Sequence, residues 1–227
     1  DTVVSEASDL RAYQEIASLL RAGNAVKALR ASTYGLIGHV FRGMYDLEFD
    51  RSKVKGFLGP EVMTIQAEHL LELWRETSEK DCEQDAEALE KRFKSKNIKS
   101  SDVLASLRLG LAMRRLYKKF NLDGLCFLGQ HYIEKVCAAP ARMGASKLME
   151  EDGFMVSCEG DIGGLVMMDL LYKFTGNQPF QAEWGQFDLA NNALFLLGHG
   201  IGAPQLAKND DEVLLTGSPE EWGFEGS

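Results

Sequence analysis

Apolar positions recur along the chain in two rhythms, a helical one of three to four residues and a strand-like one of two. Ser8-Asp9 ahead of Leu10, Tyr13, Ile16, Ala17 and Leu20 predicts a capped amphipathic helix ending near Gly23. A strand is expected over residues 27–37, where Gly35 and Gly38 break it into a loop over 39–50. A second short strand at 54–58 or 62–65 and a helix at 67–75 follow. Residues 76–100 are dense in Asp, Glu, Lys and Arg, which predicts a solvated linker around a helix at 85–94.

From Ser101 onward the pattern sharpens. Ser100-Ser101-Asp102 caps a helix with Leu104, Leu107, Leu111, Leu116 and Tyr117 on one face. Residues 123–129 form a short strand, apolar throughout after Asp123 and suited to the centre of a parallel sheet. A helix at 139–151, a strand at 153–158 and an apolar helix at 163–174 come next, then strands near 180–187 and 193–197. Strand and helix alternating at this spacing predict an α/β fold in three layers, with a mostly parallel sheet flanked by helices and residues 123–128 central in it.

Composition narrows the function classes. The 227 residues are 45% hydrophobic, enough for a substantial core. The net charge is −9, and no cluster of five or six Lys and Arg appears, so nucleic acid and anionic membranes are not expected partners. No apolar run reaches transmembrane length. The four cysteines, Cys82, Cys126, Cys137 and Cys158, contain no CxxC pair and read as reduced, buried thiols of a cytoplasmic protein.

In open α/β sheets, ligands collect beyond the carboxyl ends of the strands. The strand at 153–158 runs into Glu159-Gly160-Asp161-Ile162-Gly163-Gly164. The next strand region reaches Glu183, and the one after it Gly198-His199-Gly200-Ile201-Gly202-Ala203-Pro204. Two carboxylates and an imidazole at successive strand ends suit Mn²⁺, Co²⁺ or a similar octahedral ion. Solvated or structurally bonded side chains are the plainer reading of the same residues. Asp161, ahead of an apolar helix, reads as an N-cap. Gln130 and His131, directly after the apolar strand, read equally as pocket residues or as a turn. Cys158 reads as a small buried filler, and His69 as structural. Gly198-x-Gly200-x-Gly202 lacks the GxGxxG spacing of a dinucleotide loop.

The stretch Cys158-Glu159-Gly160-Asp161-Ile162-Gly163-Gly164 resembles the Glu-x-Asp segment of the L-fucose and L-arabinose isomerase family, and Leu197 to Pro204 resembles its His-x-Gly-x-Ala-Pro element. The likeness spans residues 25–225 and is strongest over 105–207. It implies that Glu159 and Glu183 are metal ligands with proton-transfer roles, that His199 approaches the same ion, most simply Mn²⁺, and that Gln130 and His131 meet the sugar. It implies a homo-oligomeric aldose–ketose isomerase working through an enediolate. Family members carry a further domain on each side of this region, and the later one supplies another ligand. The expected layout is therefore a helix trailing from a preceding domain (residues 1–25), a central α/β domain (26–207) and a lead-in to a C-terminal domain (208–227), with little activity in the fragment alone. His199 is followed by Gly where fucose-type relatives often have Cys, which leaves the sugar open. A non-catalytic sugar-binding or assembly module of the same fold is the competing expectation.

Overall fold

The computed structural model of the chain describes residues 2–127 and 132–217. It opens with α1 (Leu10–Ala31), β1 (Thr33–Ile37) and α2 (Arg51–Lys53), which runs on as a π-helical turn over Val54–Leu58. Then come β2 (Glu61–Ile65), α3 (Ala67–Glu76), α4 (Glu83–Arg92), β3 (Lys94–Lys96), α5 (Ser100–Phe120) and β4 (Gly124–Phe127). The remainder is α6 (Tyr132–Cys137), α7 (Arg142–Asp152), β5 (Met155–Ser157), α8 (Ile162–Thr175), β6 (Ala182–Asp188), β7 (Ala193–Gly198) and β8 (Leu214–Thr216).

Four strands form one wholly parallel sheet in the order β2-β1-β4-β5. All four residues of β4 are buried, and the strand lies between β1 and β5, as its unbroken apolar run predicts. Alternation along the strands divides the sheet into two apolar faces. Tyr34 and Gly124, register partners, face α8: a Cβ on Gly124 would lie 3.1 Å from Leu165. The Tyr34 hydroxyl also reaches Asp169 of α8 in a short hydrogen bond. Gly35 faces the opposite side among Leu122, Ile65 and Leu125. Helix α1 packs on α8, while α5 packs on both α3 and α7, so helices flank the sheet.

Several elements differ from expectation. The strand expected from residue 27 begins only at Thr33, because α1 continues through Gly23 to Ala31. Residues 24–31 are mostly Ala, Lys, Leu and Arg, good helix formers that outweigh one glycine at about 1 kcal/mol. Ala25 and Leu29, four residues apart, are buried. The boundary expected at residue 25 thus falls inside a helix that packs on α8. The helix expected over 139–151 starts at Arg142, after a break at Ala138 (φ 52) and Pro140. The charged stretch 76–100 does carry α4, but its end forms β3, which pairs in parallel with β8 over a second small core of Cys82, Leu89, Phe93, Val103, Leu107 and Leu215.

The largest correction concerns β6 and β7. They do not continue the layered sheet but form a separate antiparallel ribbon. The chain reverses where the Asp188 carboxylate accepts hydrogen bonds from the amides of Ala190 and Asn191, both at 3.1 Å, and Asn192 takes a left-handed conformation at φ 49. Glu183 therefore stands at the start of β6, not at a strand's carboxyl end.

Candidate functional site

Beyond β5 the backbone turns through two successive left-handed residues, Glu159 (φ 60) and Gly160 (φ 76). A Cβ on Gly160 would fall 2.5 Å from the Cα of Val40, so only glycine allows the loops after β1 and β5 to touch. The Phe41 amide donates to the Glu159 carbonyl oxygen at 2.9 Å and locks that contact. A non-glycine residue in this conformation costs roughly 1–3 kcal/mol, an expense that tends to accompany functional sites. Here it turns the Glu159 carboxylate into the space above the sheet end.

Asp161 caps α8, its Oδ1 accepting from the Gly164 amide at 2.7 Å. Its Oδ2 accepts from Gln181 Nε2 at 2.8 Å, which pins the chain just before β6 to the start of α8. The ribbon is thereby anchored so that its open end, carrying Glu183 and the residue after Gly198, meets the β5–α8 loop. His199 Nδ1 lies 3.4 Å from Glu159 Oε1, and His199 Nε2 lies 3.3 Å from Glu183 Oε1. Each ring nitrogen thus faces its own carboxylate. Cys158 joins them: one ligand atom each from Cys158, Glu159 and His199 lie within 4.8 Å of one another. The cluster opens into a cleft of about 420 Å³ whose walls include Met44, Asp46 and Trp184.

The hydrogen bond with Cys158, and then the Glu159 carboxylate, push the His199 imidazole up to about 10, against the opposing effect of burial. Burial pushes the Cys158 thiol up, so it stays a thiol. A cationic imidazole between two carboxylates is the arrangement this site takes when a proton is what the three groups share. The ligand atoms that all lie within 4.8 Å of one another belong to Cys158, Glu159 and His199, while Glu183 faces the other ring nitrogen, across the imidazole from Glu159.

Of the residues read from sequence, Glu159, Glu183 and His199 come together; Gln130 and His131 lie outside the described residues. Cys158, read as filler, stands in the cluster, and Gln181 and Arg142 support it without a sequence signal of their own. The only available signal for Cys158 was its adjacency to Glu159.

Fold and cluster define a parallel α/β protein with an acid–imidazole site beyond its strand ends. No protein-family model matches the chain. It is 26% identical over 207 residues to the sulfoquinovose isomerases of Priestia aryabhattai and of Priestia megaterium (strain ATCC 12872 / QMB1551), an alignment covering 88% of this chain and 45% of each relative. The chain spans about half the length of the curated relatives it matches. The likeness is therefore to a sugar isomerase in general; the L-fucose and L-arabinose type expected from the motifs is a narrower statement than these relatives carry.

Proposed function

We propose that the chain is the metal-bearing part of an aldose–ketose sugar isomerase that uses a divalent ion, Mn²⁺ first, held by Glu159, Glu183 and His199. The observation that carries this reading is the grouping of Glu159 and His199 ligand atoms, with Cys158, within 4.8 Å of one another, and Glu183 3.3 Å from the other ring nitrogen, on the wall of a cleft above the sheet end. A divalent ion there would polarise the sugar carbonyl and stabilise enediolate charge. Glu159, 8% exposed and fixed by its backbone, would take the proton from C2 of the open-chain aldose and return it to C1. Glu183, at the cleft mouth, would manage the proton that passes between the two hydroxyl oxygens. His199 would join the ligand set through one ring nitrogen, giving up the proton it holds between the carboxylates.

The curated relatives are named for sulfoquinovose, which makes that sugar the first substrate to try, ahead of L-fucose and L-arabinose. Four free, buried cysteines support a reducing, cytoplasmic setting, and further copies of the chain are the proposed assembly partners. Among the described residues, no helix is long and apolar enough to cross a membrane. Calorimetric titration of the 227-residue chain with Mn²⁺, before and after Glu159→Gln, tests the metal. Isomerase assays with the three sugars, on this chain and on a polypeptide of the relatives' length, test the reaction. The expected pattern is Mn²⁺ uptake that Glu159→Gln abolishes, with turnover only in the longer polypeptide. Sugar binding without Mn²⁺ uptake would instead favour the non-catalytic binding module.

A further inference from the structure

The glycines of Gly198-x-Gly200-x-Gly202 serve the packing of the loop that carries His199. Gly200 sits at φ 78, where a Cβ would fall 2.5 Å from Cδ of Arg142, so the loop backbone lies directly on that side chain. Arg142 opens α7, is 8% exposed, and its Nε donates to the carbonyl oxygen of His199 at 3.1 Å. One turn further along α7, the Ser146 hydroxyl oxygen accepts from the Gly202 amide at 3.1 Å and donates to the Arg142 carbonyl at 2.9 Å. The charge of Arg142 also acts on Glu134 of α6, a wholly buried carboxyl, and partly opposes the effect of its burial. Two adjacent turns of one rigid helix thus hold the loop at His199 and at Gly202, and one of the two bonds is charge-assisted.

We propose that Arg142 and Ser146 are positioning residues that hold His199 in register with Glu159 and Glu183 by gripping its loop on the side away from the cleft. Arg142 acts through the His199 carbonyl and Ser146 through the Gly202 amide, and neither is among the described residues that line the cleft. What that placement is for rests on the metal-site reading above, but the grip itself does not. Outer contacts of this kind, which fix a ligand's orientation, change metal affinity by about 10–100-fold when removed.

Three variants of the 227-residue chain test this: Ser146→Ala, Arg142→Met and Arg142→Lys. Amide hydrogen exchange reads the loop without any metal, and Mn²⁺ titration reads the ligand set. Ser146→Ala and Arg142→Met are each expected to speed exchange at residues 200–202 by about tenfold or more, leaving Leu125 and Cys126 of β4 unchanged. Both should weaken Mn²⁺ binding by about tenfold or more, and Arg142→Lys should recover part of that loss. Unchanged loop exchange in folded variants overturns the proposal. So does faster loop exchange with undiminished Mn²⁺ affinity, because the grip would then serve stability alone. If Arg142→Met does not fold, Ser146→Ala decides. If the unaltered chain takes up no Mn²⁺, the metal reading fails while loop exchange still decides whether α7 holds His199.

Discussion

Glu183 pairs with Leu197 across the ribbon of β6 and β7, two residues short of His199. Its place in the site is thus a matter of ribbon register, fixed by the turn at Asp188 and by the bulge between Trp184 and Gln186. Because Glu183 lies near the ribbon's open end with its side chain 45% exposed, changing it should leave the core alone. Glu183→Gln and His199→Asn are each expected to weaken Mn²⁺ binding by at least about tenfold, with thermal unfolding little altered. Calorimetry and a melting curve on the same samples check this, and undiminished affinity in either variant would place the ion elsewhere.

Gly160 offers a sharper test of how the loop after β5 is built. An alanine there would carry its Cβ to 2.5 Å from the Val40 Cα, a backbone atom, at φ 76. Neither partner can swing away as a side-chain tip could. Gly160→Ala is expected to cost on the order of 2–4 kcal/mol and to break the bond between the Phe41 amide and the Glu159 carbonyl. Gly163, three residues on, lies within α8, and its nearest neighbour would be Asp161 Oδ1 at 3.3 Å. Gly163→Ala should therefore stay within about 1 kcal/mol of neutral in urea unfolding. Equal stability of the two variants would contradict the close approach of the loops.

The same physics explains what the sequence could and could not reveal. The sheet was legible because β1, β2, β4 and β5 carry apolar side chains on both faces, and because Asp161 caps α8 and Asp102 lies in the first turn of α5. The ribbon was not, since Phe187, Phe195 and Leu197 are as apolar as core residues yet 60%, 62% and 48% exposed. Hydrophobicity alone reads such strands as interior ones. The turn residues Asp188, Asn191 and Asn192 were the available hairpin signal. Gly23 signals a helix end, but the helix formers from Ala25 through Leu29 carry α1 past it. Glu159 and His199 could be singled out from their positions beside the strand at 153–158 and the glycine-rich loop. The backing from Arg142 could not, since it joins residues 57 apart in sequence.

Where α5 crosses α7, two glycines meet: a Cβ on Gly144 would lie 2.6 Å from both the Gly110 Cα and the Ser106 carbonyl oxygen. Alanine is favoured over glycine in a helix interior by about 1 kcal/mol, so propensity alone predicts that Gly144→Ala stabilises the protein. The contact predicts the opposite, because both obstacles are backbone and the helices would have to part. Overpacking of this kind costs roughly 1–3 kcal/mol or more, so the net effect is expected to be destabilising. Guanidinium unfolding of Gly144→Ala gives the sign directly, and a raised midpoint would mean that the helices stand further apart.

Glu134 should give stability a pH dependence of unusual sign. Its side chain is fully buried in α6; Oε1 accepts a long bond of 3.4 Å from the Ala141 amide, and Oε2 has no partner among the described residues. Burial pushes its carboxyl from 4.5 to about 7, an effect only partly opposed by the Arg142 charge and the Ala141 amide. Below the unfolded value both states hold the proton, and the group contributes nothing to the pH slope. As pH rises from about 4.5 to about 7, the unfolded chain releases the proton and the folded chain keeps it, so stability falls. Above about 7 the loss levels off at a total on the order of 3 kcal/mol. Glu134→Gln keeps the shape and removes the charge, so its stability should stay flatter across that window. Urea unfolding of both proteins at several pH values between about 4.5 and 8 checks this against the other titrating groups, which the two share. Curves that run parallel through the window would show that Glu134 ionises in the fold as readily as in the unfolded chain.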